Sequence, residues 1–156
     1  MGAVLSNHDI LNAEKAGRIK ITPFNAERVQ NNSYKLSLSE TVVFAPNEFK
    51  NIWTLEKVKL PNDLVGLLTA RSVWARKGLF FCASIGIDAG FSGHLVIELL
   101  NVSDSHITVP KGEPFVHLWF METTSECTPY TGPFQGQKPG EDVIRDDSQE
   151  VLTPKT

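Results

Sequence analysis

Cysteine is scarce in this chain: two residues, Cys82 and Cys127, occur among 156. They lie far apart without Cys-x-x-Cys spacing, so we expect no disulfide framework and a reducing, cytoplasmic compartment. Long hydrophobic runs are also missing, since none approaches the ~18 residues of a membrane span. The first residues lack the apolar core of a signal peptide. The sequence therefore predicts no membrane partner.

Charge of one sign does not dominate either. The formal net charge of −3 argues against a surface that coats nucleic acid. It leaves room for a single nucleotide, which needs only a local cluster of cations. Hydrophobic residues make up 41% and charged residues 21%, close to the average for folded proteins, so we expect one domain with a proper core.

Three common catalytic signatures are absent from the sequence. It contains no His-x-Glu followed by Pro-Cys-x-x-Cys, which would bind a catalytic zinc. It has no phosphate-binding Walker loop and no Gly-x-Ser-x-Gly nucleophile elbow. The four histidines lack metal-ligand spacing, so no protein-bound metal site is predicted.

Turn signals recur at roughly 8–12 residue intervals between short apolar segments, which is typical of an all-β barrel or sandwich. A short N-terminal helix is predicted by Ser6 as a cap, by Asp9 three residues later and by Gly17 as a stop. A second short helix is predicted near 71–77, ended by Gly78. Strands are predicted at 18–21, 33–38, 41–44, 51–58, 64–69, 79–82, 95–100, 107–109 and 114–121.

The C-terminal part differs in composition from the rest. Glycine, proline and polar residues dominate from Pro129 onward, and 138–156 has no periodic apolar pattern. The sequence therefore predicts one domain over 1–137 and a flexible tail over 138–156.

Glu98 is the most informative single residue. It interrupts an otherwise apolar run, 95–100, and strand alternation puts Val96, Glu98 and Leu100 on one face. A desolvated glutamate has a raised pKa, which suits a general acid or base. The alternative is a structural salt bridge, with Arg76 as the obvious partner.

Two polar segments nearby have both functional and structural interpretations. Arg71, Ser72 and Arg76 would meet at the start of the short helix, either as a cradle for an anion or as a solvated turn. Asp88 lies in a glycine-flanked turn, where it would either bind a hydroxyl group or form an Asx turn.

These segments resemble the dCTP deaminase branch of the trimeric dUTPase superfamily, over about 137 residues. The more specific matches are Ala-Arg-Ser at 70–72, Ala-Arg-Lys-Gly-Leu at 75–79, Ile-Asp-Ala-Gly-Phe-Ser-Gly at 87–93 and Glu98 in its strand. The segment 130–137 resembles the terminal Tyr-x-Gly-Lys-Tyr-Gln-x-Gln of that family. Several matches in the same order are much more specific than any one of them.

The resemblance implies a distorted β-barrel or jelly roll that assembles as a homotrimer, with active sites between subunits. It implies hydrolysis of the 4-amino group of dCTP, to dUTP and ammonia, without zinc. Mg²⁺ would be carried by the nucleotide triphosphate rather than by a protein site.

The resemblance also implies roles for particular residues. Glu98 would shuttle protons, Ser72 and the backbone near Ser84 would hold the attacking water, and Arg76 would position both the water and Glu98. Asp88 would bind the sugar 3′-hydroxyl, and Arg71 would contact phosphate. The implied nucleotide-binding set is completed by Val73, Trp74, Ala75, Phe91, Val96, Ile97, Tyr130 and Gln137.

The sequence departs from the family pattern mainly where phosphate is bound. Val73 stands where a serine is usual, Gly86 where many bacterial members have arginine, and Pro133 where the tail has lysine. Phe134 replaces a tyrosine, and Lys35 replaces an aspartate. The number of phosphates on the substrate therefore stays open.

Three hypotheses follow from this sequence. The first is a dCTP deaminase. The second is a dUTP pyrophosphatase, alone or coupled to deamination so that dUMP is released; the absence of a glycine-rich Arg-Gly-Ser-Gly-Gly-Phe tail counts against a pure dUTPase. The third is a trimer that binds nucleotide without turnover.

Overall fold

The computed structural model describes residues 3–82 and 85–143. These residues form eleven strands and two short α-helices, and every strand pair is antiparallel. The prediction of an all-β fold with two short helices is confirmed.

The first helix lies where the sequence predicts, because its N-terminal cap is built locally, whereas the second is shorter than the predicted range 71–77. Helix α1 spans Asn7–Lys15, and Ser6 and Asp9 each accept a hydrogen bond from the backbone N–H of the other. Helix α2 spans only Ser72–Ala75. Gly78 follows it with φ of 98°, a conformation that a side chain would disfavour.

The strands are short apart from three that form the body of the two main sheets. In chain order, β1 to β11 span Lys20–Thr22, Val29–Gln30, Ser33–Ser37, Val42–Phe44, Phe49–Lys59, Leu64–Ala70, Leu79–Phe81, Gly86–Ile87, Ser92–Asn101, Ile107–Val109 and Pro114–Glu122. One sheet has the order β1-β5-β9-β7, another β2-β3-β11-β6-β8, and β10 pairs with β4. The sheets in the described ranges do not close into one barrel, and the arrangement is a distorted jelly roll.

Strand β9 lies at the centre of the region where we expected chemistry. Leu95, Ile97 and Leu99 are buried in the core, whereas Val96, Glu98 and Leu100 alternate with them on a half-exposed face. Strand β6 shows the same alternation, with Leu64, Gly66 and Leu68 buried and the residues between them half-exposed. One apolar face of each strand is only partly covered by the chain itself.

The remaining expectations concern cysteines, membrane spans and the tail. Cys82 and Cys127 are unpaired, as predicted. Within 3–82 and 85–143, no helix has the length and apolar character needed to cross a membrane. The tail predicted over 138–156 is described only as far as residue 143, so its flexibility stays a prediction.

Candidate active site

A pocket of about 430 Å³ opens beside strand β9, a volume that suits a small organic ligand. Its wall combines apolar and aromatic side chains with a few polar groups. The lining comprises Phe49, Asn51, Leu68, Gly86, Ile87, Asp88, Phe91, Leu95, Val96, Glu98, Tyr130, Phe134, Gln137 and Val143. Six of these, Asp88, Phe91, Val96, Glu98, Tyr130 and Gln137, belong to the site predicted from the sequence.

Glu98 is the only glutamate in this lining, and its surroundings favour its neutral form. Burial raises the pKa of Glu98, since water is partly removed from the carboxylate. Its Oε2 atom is buried and has no hydrogen-bond partner among the described residues. The salt bridge to Arg76, the structural alternative, does not form within this part of the chain.

Asn51 is a pocket residue that the sequence reasoning missed. It lies on β5 directly opposite Glu98 in the antiparallel ladder, and its Oδ1 atom is likewise buried, with no hydrogen-bond partner in the described ranges 3–82 and 85–143. In the sequence the residues around Asn51 indicate only an ordinary strand, so the register of β5 against β9 is needed to show that Asn51 lies beside Glu98. The pocket lining therefore contains, besides Glu98, a second residue whose buried oxygen lacks a hydrogen-bond donor among the described residues.

The segment 130–137 closes one side of the pocket by folding back onto its own chain. The Tyr130 ring lies 6.0 Å from that of Phe91, centroid to centroid. Gln137 is held by two hydrogen bonds to the backbone of His94: the His94 N–H donates to the Gln137 carbonyl at 2.9 Å, and Gln137 Nε2 donates to the His94 carbonyl at 2.8 Å. Tyr130 and Gln137 thus line the same pocket as Glu98.

Gly93 allows this close approach. A Cβ atom there would lie 3.1 Å from both the backbone nitrogen and the carbonyl oxygen of Gln137, tighter than ordinary contact. Gly93, the last residue of the predicted turn, therefore lets the segment 130–137 pack closer than a residue with a side chain would.

Asp88 enters the pocket from the turn that precedes β9. The turn closes through the backbone, where the Phe91 N–H donates to the Asp88 carbonyl oxygen at 3.2 Å. The Asp88 side chain is exposed and reaches the pocket, so it remains available for a ligand hydroxyl. Phe91 itself is buried and supplies an aromatic wall.

Other predicted residues are not brought to this pocket. Ser72 begins helix α2 and Arg76 directly follows it; both are exposed, as are Val73 and Ala75, and none of them lines the pocket. Within one chain, the proposed water-holding residues and Glu98 are therefore separate.

Arg71 and Trp74 anchor α2 to the first residue of β11. Arg71 Nη1 and Trp74 Nε1 both donate to the carbonyl oxygen of Pro114, at 2.6 and 3.1 Å. Trp74 is buried and stacks on Phe115, so its ring belongs to the core rather than to an open surface. Arg71 also lies 3.6 Å from the carboxylate of Glu113.

The last two predicted residues have different outcomes. Ile97 is fully buried and points into the core, so only its backbone runs beside the pocket. Ser84 lies outside the described residues.

The sequence model of the dCTP deaminase-like family matches residues 35–123. A probable deoxyuridine 5′-triphosphate nucleotidohydrolase of Sulfolobus islandicus rod-shaped virus 1 is 32% identical over 151 residues, which cover 86% of this chain and 94% of that protein. A dCTP deaminase of Hyperthermus butylicus is 39% identical over 117 residues, which cover 74% of this chain and 65% of that protein.

Solved structures agree on the fold. The 2′-deoxycytidine 5′-triphosphate deaminase from Agrobacterium tumefaciens superposes with a TM-score of 0.68 at 16% identity, over 78% of this chain and 49% of that one. The native EIAV dUTPase superposes with a TM-score of 0.54 at 22% identity, over 84% of this chain and 97% of that one. The segment that the family model matches, 35–123, includes the strand of Glu98, the Asp88 turn and the Arg-Ser helix. The chain belongs to the dCTP deaminase-like family.

Proposed function

We propose that this protein hydrolyses the 4-amino group of dCTP, giving dUTP and ammonia without zinc. The observation that carries the proposal is Glu98, a half-buried carboxylate with one unpaired oxygen in the wall of a nucleotide-sized pocket. Such a group takes up and releases a proton near neutral pH more readily than an exposed carboxylate does.

The reaction uses Glu98 twice. The carboxylate takes a proton from a water molecule as the water oxygen adds to C4 of cytosine, and it passes that proton to N3. It then carries the second proton of the added water to the amino nitrogen, the C4–N bond breaks, and ammonia leaves. The sum is dCTP and water in, dUTP and ammonia out. Because ammonia is a better leaving group than an amide ion, this proton delivery is what lowers the barrier.

The rest of the pocket supports nucleotide binding. Phe91 and Tyr130 offer ring faces beside the base and sugar, and the exposed carboxylate of Asp88 suits the 3′-hydroxyl. Gln137 fixes the returning tail against β9 through its bonds to His94. These contacts favour a deoxynucleoside held with its base toward Glu98.

The water-holding residues come from a second copy of the chain in this proposal, as part of a homotrimer. Two features support it. Ser72 and Arg76 are exposed and away from the Glu98 pocket of their own chain. Next to Glu98, the ladder aligns Phe49, Leu100 and Phe80 across β5, β9 and β7, and the two phenylalanines are 52% and 57% exposed. Such an apolar patch favours contact with another chain.

Subunit mixing tests this arrangement. Glu98→Gln and Arg76→Ala proteins should each be inactive alone, and mixed trimers should regain activity, because some sites combine an intact Glu98 with an intact Arg76. The mixture should be unfolded and refolded together, with each variant refolded separately as the control. Inactivity of properly mixed trimers would contradict a shared site.

Positive charge for the phosphates is proposed to come from Arg71 and its neighbours. Lys35 replaces a family aspartate, and its pKa is lowered by partial burial and by repulsion from Arg71 and Arg28. The burial of His117, together with repulsion from Lys35 and Arg71, lowers the pKa of that imidazole. A cluster of cations that repel one another favours an anion such as the magnesium complex of a nucleotide triphosphate.

A second candidate function is hydrolysis of dUTP to dUMP and pyrophosphate, alone or after deamination. The relative from the rod-shaped virus carries a name of that kind, and the open carboxylate of Asp88 could position a water as well as a hydroxyl. This function does not require Glu98, so the two candidates differ in their dependence on that residue.

Product analysis separates these functions. The purified protein would be incubated with Mg²⁺ and dCTP, dCMP, dUTP or CTP, and the products resolved by ion-exchange chromatography. We expect dUTP and ammonia from dCTP. Appearance of dUMP and pyrophosphate would establish the coupled reaction, and turnover of dCMP alone would mark a changed phosphate specificity. Binding without turnover of any substrate would favour a non-catalytic trimer.

A further inference from the structure

Asn51 has no role in the activity proposed so far, yet it stands directly across the ladder from Glu98. Directly opposed residues in an antiparallel pair place their Cβ atoms about 4.5–5.5 Å apart on the same face of the sheet. Both residues line the same pocket. A ligand that reaches Glu98 therefore also meets the amide of Asn51.

Both side chains present an oxygen that lacks a donor. Glu98 Oε2 and Asn51 Oδ1 are buried, and neither accepts a hydrogen bond from the residues that the structure describes. Buried acceptors are nearly always paired in folded proteins because an unmet acceptor loses the hydrogen bonds that water gave it. Two such atoms on one cross-strand pair, facing one pocket, indicate that the missing donors belong to a ligand.

The chemistry of the two oxygens specifies that ligand group. An exocyclic amino group has two N–H donors on one nitrogen, so it can satisfy two neighbouring acceptors together. A carbonyl oxygen at the same position has no donor, so it would meet Asn51 Oδ1, and the oxygens of an ionised Glu98, without a hydrogen to share. The pair therefore distinguishes a 4-aminopyrimidine from a 4-oxopyrimidine.

We infer that Asn51 Oδ1 accepts a hydrogen bond from the 4-amino group of the substrate's cytosine, beside Glu98, and is a specificity-determining residue. This inference rests on the proposed function. After deamination, the new O4 of the base faces the Asn51 oxygen without a hydrogen to share. Asn51 thus favours binding of the substrate and release of the product.

The test measures nucleotide binding in a protein that cannot turn over. In a Glu98→Ala background, Asn51 is left as the cross-strand acceptor in the pocket. Calorimetry at pH 8 with Mg²⁺ would give the dissociation constants for dCTP and dUTP. We expect dCTP to bind about tenfold more tightly than dUTP, the value of one hydrogen bond plus relief of repulsion. The further change Asn51→Leu should bring the ratio to about one.

The quantity compared is the ratio of the two dissociation constants. Effects of folding and of phosphate binding act on both nucleotides and therefore cancel in this ratio. Asn51→Asp in the same background is the conservative control: it keeps an acceptor, and it should keep the preference for dCTP. If Asn51→Leu weakens both nucleotides equally, or leaves the ratio unchanged, the inference is wrong while the proposed function stands. If wild-type protein neither binds these nucleotides nor releases ammonia, the proposed function itself is wrong.

Discussion

Two asparagines in the same four-stranded sheet have opposite surroundings. Asn101, at the end of β9, is fully buried and fully paired. Its Nδ2 donates to the carbonyls of Phe44, Ala45 and Ser105, and its Oδ1 accepts from the backbone and hydroxyl of Ser103. This amide connects the end of β4 with the segment that follows β9.

Asn51 lies on β5 opposite Glu98, which is three positions before Asn101 on β9. Among the described residues, neither Asn51 Oδ1 nor Glu98 Oε2 has a hydrogen-bond partner. The hydrogen bonding of the two asparagines thus distinguishes a structural role from a functional one within the same sheet. A buried polar side chain whose bonds are all made within the chain stabilises the fold. One whose acceptor is left unmet costs stability, and the ligand that supplies the donor explains its presence.

The largest expected effect comes from making the same substitution at both asparagines. Asn101→Leu should lower the free energy of unfolding by about 3 kcal/mol, because it leaves several buried backbone groups without partners. Asn51→Leu should leave stability unchanged or raise it, since it removes an unpaired acceptor. Urea unfolding of both variants gives the comparison. Equal destabilisation by the two changes would contradict the distinction.

A second pair of variants compares two glycines: Gly90, which packs beside the start of the segment that closes the pocket, and Gly112, in a turn elsewhere. Gly90 and Gly112 have φ of 79° and 75°, so alanine costs backbone strain of about 1–2 kcal/mol at either position. At Gly90 the new Cβ would also lie 2.7 Å from Cβ of Pro129, whereas at Gly112 nothing lies within 4 Å. Gly90→Ala should therefore cost about 1–3 kcal/mol more than Gly112→Ala.

Gly90→Ala should also impair the reaction, because the clash displaces the segment that carries Tyr130 and Gln137. We expect KM for dCTP to rise in this variant and to remain near the wild-type value in Gly112→Ala. Steady-state kinetics at a temperature where both variants are folded measure this. Equal KM values would mean that the tail does not contribute to the pocket wall.

The smallest effect is a pH dependence of stability. Burial raises the pKa of Glu98 above its value in the unfolded chain, which is about 4.3. Between these two values the folded chain holds a proton that the unfolded chain has released, so stability falls as pH rises through the window. Below and above this pH window, the contribution of Glu98 to the free energy of unfolding does not change with pH. Glu98→Gln should lack this fall.

The difference between wild type and Glu98→Gln, measured by urea unfolding across the window, cancels the contributions of other carboxylates such as Asp9 and Glu48. The pKa of each of these is lowered by hydrogen bonds. Parallel curves for the two proteins would contradict a raised Glu98 pKa.

Local signals were enough for much of the fold. Ser6 and Asp9 form the predicted capping box, and Gly78 takes a positive φ three residues after the second helix. Alternation along β9 correctly placed Val96 and Glu98 on one face. Each of these features depends on residues within a few positions of one another, so the sequence order itself carries the information.

Features that depend on pairing between distant segments were not predictable. Asn51 could be connected with Glu98 only through the register of β5 against β9, 47 positions apart in sequence number. The packing of the Trp74 ring on Phe115 likewise joins segments distant in sequence, and it buries a large apolar side chain. The exposed Phe49 and Phe80 also became evident only once three strands were aligned.

The most direct test of the central claim is the rate of ammonia release from dCTP by wild-type and Glu98→Gln proteins in the same assay. We predict release by the wild type and a decrease of about a hundredfold or more in the variant, which keeps the shape of the side chain but cannot exchange protons. The variant should show a urea midpoint no lower than that of the wild type at neutral pH. An unchanged rate of ammonia release in Glu98→Gln would contradict the assignment of Glu98 as the proton shuttle.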